Sequence, residues 1–276
     1  MAPKLLATDL DGTLLASDGT VHAEDAAAIR ELNRRGVRVT FSTGRMHSGC
    51  GHFARELELT TPLVCLDGAQ IVDPQTGASV HIAGLPAECV PELRHALRHL
   101  GAATFLFSAD RIYHDAAGDA AAPYVSIWTR EMERVDNVMH HPSWDDGAMG
   151  LVTVGEQRVI EELQAAIHSE LPALDTASFI SNRPGHEGVW AMLVRRQGIS
   201  KASGLEHLCS ALGINMSEVV GVGDWLNDLT MLRAVGHSYA MGQSPPEVVE
   251  AAGQVLVADH TSGGGIAEAA RRAGLL

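Results

Sequence analysis

Asp9 and Asp11 stand one residue apart at the end of the apolar run Leu5-Leu6-Ala7, and Gly12-Thr13 follows them. A run this short reads as a buried parallel strand rather than a membrane span. Asp9 then lies at the strand's carboxyl end, the edge where open α/β sheets carry their chemistry. Residues i and i+2 of a strand face the same way, so both carboxylates can turn toward one crevice. Two like charges about 4 Å apart repel by roughly 4 kcal/mol at an effective dielectric of about 20. Left unpaired, one of them protonates. A divalent cation relieves the repulsion, and Mg²⁺ is the natural partner of hard oxygen ligands. The competing reading is a capped turn, since Asp and Gly are turn formers. At ordinary residue usage the string Asp-x-Asp-Gly-Thr is expected on the order of 0.003 times in such a chain, which weighs against accident.

A second acidic group follows a second apolar strand: Val219-Val220-Gly221-Val222 runs into Gly223-Asp224-Trp225-Leu226-Asn227-Asp228. Chance supplies Gly-Asp-x-x-Asn-Asp about 0.002 times. Between the two, Val37 to Ser42 alternates as a strand and meets Thr43-Gly44-Arg45, and Lys201 opens an amphipathic helix with Leu205, Leu208 and Leu212. The polar strand ends fall on one edge of a parallel sheet.

The elements that must position these residues divide the chain. Helical spacing over residues 22–35, stopped by Gly36, and over 46–57 alternates with strands at 37–42 and 63–66. That order builds a right-handed parallel α/β unit. Residues 70–82 read as a hairpin turning at Asp73-Pro74-Gln75-Thr76-Gly77. From about 87 to 194 helices (91–100, 156–170) and strands (103–107, 111–114, 148–154, 189–194) mix, and after Lys201 the parallel pattern resumes. The expectation is a core of residues 1–83 and 197–276 with an α+β domain inserted at 84–196, hinged at Ala83 to Pro86 and Arg195 to Gly198.

The whole chain bounds the partners. Its 276 residues, 46% hydrophobic, suffice for one large or two smaller domains. A net charge of −14 argues against nucleic acid, whose phosphates attract clustered Lys and Arg. An anionic substrate then needs a local positive site. Cys50, Cys65, Cys89 and Cys209 are scattered and read as buried thiols. The histidines show no paired zinc spacing; His95 and His99 read as a polar helix face. With no signal segment and no apolar run of 18 residues, the expectation is a cytoplasmic protein with no membrane partner, a monomer or weak homodimer.

In order, Asp9-Leu10-Asp11-Gly12-Thr13, Ser42-Thr43-Gly44-Arg45, Lys201 and Gly223 to Asp228 resemble the four motifs of the haloacid dehalogenase superfamily. The insertion of roughly a hundred residues between the second and third is similar to the Cof-type, subclass IIB phosphatases. The resemblance covers the chain and implies a Rossmann-like parallel core with an inserted α+β cap of the C2B type. It implies a phosphatase of small phosphorylated metabolites such as sugar phosphates, with Asp9 as nucleophile forming an aspartyl phosphate. Asp11 would be general acid and then base. Mg²⁺ would be held by the Asp9 carboxylate, the Asp11 backbone carbonyl and Asp224, with Asp228 a ligand through water or an orienter. Thr43, the Gly44 amide, Lys201 and Asn227 would contact the phosphate, and Arg45 would pair with a nearby acid. Specificity would reside in the cap, around Ser178 to Glu187, with Arg183 or His186 reaching in. Two other readings fit the same residues: a phosphosugar mutase or phosphotransferase, and a phosphate or Mg²⁺ sensor. The intact Asp9 and Asp11 pair disfavours the sensor.

Overall fold

The computed structural model describes residues 2–181 and 186–276. The chain opens with β1 (Leu5–Thr8), α1 (Ala23–Arg34), β2 (Arg38–Phe41), α2 (His47–Glu56), β3 (Leu63–Cys65), β4 (Gln70–Val72) and β5 (Ser79–Ile82). It continues through α3 (Val90–Leu100), β6 (Ala103–Phe107), β7 (Ile112–His114), α4 (Ala122–Val125), β8 (Met132–Arg134), β9 (Gly150–Gly155), α5 (Gln157–Glu170), β10 (Leu174–Ile180) and β11 (Trp190–Arg196). It closes with α6 (Lys201–Leu212), β12 (Val219–Gly223), α7 (Leu229–Ala234), β13 (His237–Ala240), α8 (Pro246–Ala251), β14 (Gln254–Val255) and α9 (Gly265–Arg272). Two compact units result, Met1–His81 with Ser200–Leu276, and Ile82–Ile199. The sequence pattern sets the joins after residues 83 and 196; packing sets them after His81 and Ile199.

The first unit is an α/β layer structure. Its five strands run parallel in the order β14-β13-β12-β1-β2. β1 lies between β12 and β2, and its four residues are fully buried, which is why the run carries no polar face. Alternation splits its side chains between two cores. Leu6 packs with Ile29, Phe41, Val220, Val222, Tyr239 and Ile266 on one face. Leu5 and Ala7 pack with Val64, Leu205, Leu208, Val219 and Met231 on the other. Helices therefore cover both sides of the sheet, and its carboxyl edge is left for loops.

β3 departs from the expected parallel unit. It meets β2 through a single parallel bridge, Ser42 to Val64, and pairs antiparallel with β4 in a separate three-stranded sheet, β3-β4-β5. The cause is the turn at 66–68. Leu66 and Asp67 both adopt φ of +49° and Gly68 +104°, so the chain reverses at once instead of entering a crossover helix.

The second unit is α+β. Six strands take the order β10-β11-β9-β6-β7-β8, antiparallel except for β7 with β8. Leu93 and Leu97 of α3 and Ile160, Leu163 and Ile167 of α5 pack on Leu106, Leu151, Met192 and Val194 from the sheet. β10 and β8 were not expected. β10 is an edge strand whose residues are mostly half-exposed, so its polar and apolar residues do not sort cleanly by face. Among the described residues no helix is long and apolar enough to cross a membrane.

Candidate active site

The site gathers at the carboxyl edge of the parallel sheet. The Asp9 amide donates to the Val222 carbonyl at 2.9 Å, continuing the β1–β12 ladder by one residue and bringing the first acidic motif beside the last. Asp9 is only 5% exposed. Beyond it the chain turns at Gly12, where φ is +84°. A Cβ there would also collide with the Asp224 carboxylate, so the turn admits only glycine on two counts.

Lys201 is the first residue of α6 and is fully buried. A cation at a helix N-terminus opposes the helix dipole, so its place there needs another cause. Two carboxylates supply it: Nζ donates to Asp9 Oδ1 at 2.5 Å and to Asp228 Oδ1 at 2.7 Å. Burial works against the ammonium charge, but Asp228 and Asp9 outweigh it and hold the lysine protonated well above its ordinary range. The helix start is fixed by Ser200, whose hydroxyl accepts from the Ser203 amide at 3.2 Å in a capping box.

Asp228, also fully buried, uses its other oxygen on the backbone. Oδ2 accepts from the Asp224 amide at 3.0 Å and the Trp225 amide at 3.1 Å. It thus ties the loop after β12 to Lys201. Among the described residues, Asp224 receives neutral donors, Thr13 Oγ1 at 3.0 Å and Gln243 Nε2 at 3.3 Å. Burial, followed by the neighbouring Asp228 charge, pushes its carboxyl up to about 6. Burial likewise raises Asp9, and Asp228 and Asp224 add to the rise against the opposing pull of Lys201.

Asp9, Asp224 and Asp228 each offer an oxygen within 4.8 Å of the others. Lys201 serves Asp9 and Asp228 while Asp224 lies beside them with no cationic donor among the described residues, so burial, together with the excess of negative charge, raises Asp9 and Asp224. The donor set fits a hard divalent cation, which takes carboxylate oxygens and whose charge would oppose the rise on Asp9 and Asp224.

The Asp11 side chain is not part of this group. It is half-exposed and forms a two-pronged ion pair with Arg45, Nε to Oδ2 at 2.8 Å and Nη2 to Oδ1 at 2.5 Å. The two carboxylates of the first motif, expected to turn toward one crevice, have separate partners, Lys201 and Arg45. That removes the repulsion which otherwise calls for a shared cation between them. The phosphate contacts expected from the sequence lie on neighbouring loops. Thr43 is buried, and its hydroxyl accepts from the Arg45 amide at 3.1 Å, which leaves its own proton to donate. Gly44 backs onto Asp67, and Asn227 Nδ2 donates to Asp67 Oδ1 at 3.1 Å.

Three residues at the site were not singled out from the sequence. Thr13 and Gln243 hold Asp224, and Gln243 also donates to the Gly12 carbonyl at 2.6 Å. The third is Asp67, in an Asp-Gly pair whose composition speaks only of a turn. Gln243 follows the end of β13, so the rule that strand ends on this edge carry polar groups would have reached it. In the second unit His186 lies 5.6 Å, ring to ring, from Tyr124, and Arg183 falls outside the described residues. His95 and His99 stack 6.3 Å apart on α3. The four cysteines are buried and free.

Comparison with known proteins gives the family and the fold. The sequence profile described as haloacid dehalogenase-like hydrolase matches residues 6–269. The chain is similar to an HMP-PP phosphatase of Serratia proteamaculans, 26% identical over 93% of this chain and 90% of that one. It is equally similar to a pyridoxal phosphate phosphatase of Escherichia coli, 26% identical over 95% and 96%. Among solved structures, a haloacid dehalogenase-like hydrolase from Bacteroides thetaiotaomicron superposes with a TM-score of 0.82 at 23% identity, over 98% of this chain and 99% of that chain.

Proposed function

The chain belongs to the haloacid dehalogenase-like hydrolase family, as a phosphatase of its Cof-type branch, and from that premise we propose a Mg²⁺-dependent phosphomonoesterase that works through an aspartyl phosphate on Asp9. The observation that carries this reading is the buried lysine between Asp9 and Asp228, with Asp224 beside them and short of positive charge.

Lys201 holds Asp9 through Oδ1, and Oδ2 is the oxygen that attacks phosphorus. Held in place and stripped of water, that carboxylate needs no reorganisation before attack. As the Oδ2–phosphorus bond forms, the bond to the leaving alkoxide breaks, and Asp11 gives that oxygen its proton. Water then attacks the aspartyl phosphate, Asp11 takes a proton back, and the Oδ2–phosphorus bond breaks to release phosphate and restore Asp9. Arg45 holds Asp11 aside from the buried acids, so when substrate enters Asp11 leaves this partner, takes up a proton from solvent and turns to the leaving oxygen. The Thr43 hydroxyl, the Gly44 amide and Asn227 take phosphate oxygens, and Lys201 offsets their charge.

Mg²⁺ would be held by Asp9, the Asp11 backbone carbonyl and Asp224, with Asp228 orienting the Asp224 loop or acting through water. When bound, it supplies positive charge against the phosphate oxygens. The substrate class is small phosphorylated metabolites, in keeping with the HMP-PP and pyridoxal phosphate named for two relatives. Choice among them is assigned to the inserted domain at 84–196, and every residue invoked comes from one chain, so a monomer suffices.

The test is phosphate release across a panel of phosphorylated metabolites, with and without Mg²⁺, for wild type and Asp9→Asn. Release by the wild type that needs Mg²⁺ and vanishes in Asp9→Asn is expected. Hydrolysis that survives Asp9→Asn would overturn the nucleophile, and release indifferent to chelation would overturn the metal.

A further inference from the structure

We infer that Asp67 is a positioning residue of the phosphate seat: from the turn after β3 it orients the Asn227 amide and keeps a negative charge beside the phosphoryl group, which sets how readily inorganic phosphate leaves. The inference rests on the function proposed above and deepens it.

The turn is held in an unfavourable conformation by the functional loops themselves. Leu66 and Asp67 are consecutive residues with side chains at φ of +49°, a region such residues avoid and occupy only where neighbours over-determine it. The Leu66 amide donates to the Arg45 carbonyl at 3.1 Å, and the Asp67 amide donates to the Thr43 carbonyl at 2.9 Å. The turn is thus stitched to the second motif on both sides of Gly44. On its far side Gly68 lies against the first turn of α6. A Cβ on Gly68 would collide with the Ser200 carbonyl, the residue before Lys201, and a Cβ on Gly204 would collide with Gly68 in return.

One carboxylate is delivered to the point where the phosphate donors meet. Asp67 Oδ1 accepts from Asn227 Nδ2 and lies 3.4 Å from where a Cβ on Gly44 would stand. Its charge is also among those that hold Lys201 protonated. An ionised carboxylate has no proton to give, so it does not bind a phosphate oxygen. Its use is indirect. It engages one N–H of Asn227, which fixes the amide plane and leaves the second N–H for phosphate. It also stands as a fixed anion beside a site built to attract anions. After hydrolysis that site holds inorganic phosphate among Lys201, the amide donors and the cation, and the Asp67 charge offsets part of their attraction.

The experiment compares wild type, Asp67→Asn and Asp67→Gly, with inorganic phosphate as the probe, by calorimetry and as a competitive inhibitor, at low and high ionic strength. Asparagine keeps an acceptor for Asn227 and tolerates the left-handed backbone, and glycine keeps the backbone but has no acceptor. Asp67→Asn is expected to bind inorganic phosphate about three- to tenfold more tightly, with a lower kcat, and the gap is expected to narrow at high salt. Asp67→Gly is expected to raise KM for a phosphomonoester about three- to tenfold as Asn227 loses its anchor. Phosphate binding unchanged or weakened in Asp67→Asn overturns the charge role, and an unchanged KM in Asp67→Gly overturns the positioning role. A wild type that neither binds phosphate nor releases it from any phosphomonoester overturns the proposed function instead, and the inference falls with it.

Discussion

The two units treat charge in opposite ways. In the first, Asp9, Asp224, Asp228 and Lys201 are each less than a tenth exposed, and Asp25 is fully buried. In the second, the ion pairs Arg111–Glu133, Arg134–Asp119 and Arg158–Glu162 lie at the surface. Its buried polar residues, among those described, are Thr104, His114, Thr129, Thr153 and Ser181, with no acid, lysine or arginine in the group. Burying a charge is costly unless it is paired and hydrogen-bonded, so a fold that does it repeatedly on one sheet edge is yielding stability to chemistry. The second unit, with no acid, lysine or arginine among its described buried residues, carries less of that burden.

The contrast can be broken most severely at Asp9. Asp9→Asn keeps the shape and the Lys201 contact, and it is expected to lower turnover by more than about 10⁴-fold, the scale seen when a covalent nucleophile is lost. A variant within tenfold of wild type would return Asp9 to the status of a buried structural acid. Lys201→Met comes next. It leaves Asp9 and Asp228 buried without the ammonium they share, a change expected to destabilise the fold by about 3–5 kcal/mol and to abolish activity. Urea unfolding measures the first effect. A stability equal to wild type would show that the cluster rearranges or takes up protons without strain.

Proton uptake gives the contrast a pH axis. Burial pushes Asp224 up from its ordinary 3.8 to about 6 and raises Asp9 in the same direction. An acid whose folded value lies above its unfolded one stabilises the fold fully below the unfolded value and loses that contribution as pH rises through the folded value. The contribution of these two acids to the stability of metal-free protein is therefore expected to fall as pH rises from about 4 through about 6, seen as a melting temperature that drops relative to Asp224→Asn over that range. Held as proposed by the ionised carboxylates, Mg²⁺ should raise the melting temperature at about pH 8 and lose that effect near pH 5, where protons compete. Melting curves at the two pH values with Mg²⁺ or a chelator check this, and a larger Mg²⁺ effect at the lower pH would contradict the assignment of the cation to these acids.

The same asymmetry governs what the sequence discloses. Asp9, Asp224 and Asp228 were legible because each follows an apolar strand at a short offset, and a parallel sheet sends such strand ends to one edge; Lys201 opens a helix, a place that periodicity alone does not mark, and only its order among the motifs pointed to it. The pairing of Asp11 with Arg45 was only half legible: an acid partner for Arg45 was expected, but which acid depends on loop conformation. Asp67 stands in an Asp-Gly pair, ordinary turn chemistry, and nothing in the letters reveals that Leu66 shares its left-handed backbone. Gln243 reaches Asp224 across 19 residues of sequence, through a packing relation that has no period. In the second unit α3, α5 and the inner strands show their periodicity, whereas the edge strand β10 does not, since an edge residue is neither clearly inside nor outside.

The smallest expected effects separate buried charge from chemistry altogether. Asp25 in α1 accepts from the Gly264 amide and the Ala267 amide, both at 2.9 Å, and so caps α9 from a neighbouring helix. Burial raises its carboxyl, yet it touches none of the residues that gather at the sheet edge. Asp25→Ala leaves two backbone donors unsatisfied and is expected to lower stability by about 1–3 kcal/mol, with kcat and KM unchanged. Arg158→Ala, which removes one half of an exposed pair on α5, is expected to shift neither the melting temperature nor turnover measurably. If Asp25→Ala lowered kcat while the melting temperature held, buried charge in the first unit would be coupled to catalysis well beyond the sheet edge. If it destabilised the protein and left kinetics alone, the unit would contain two kinds of buried acid, one placed for the fold and one for the reaction.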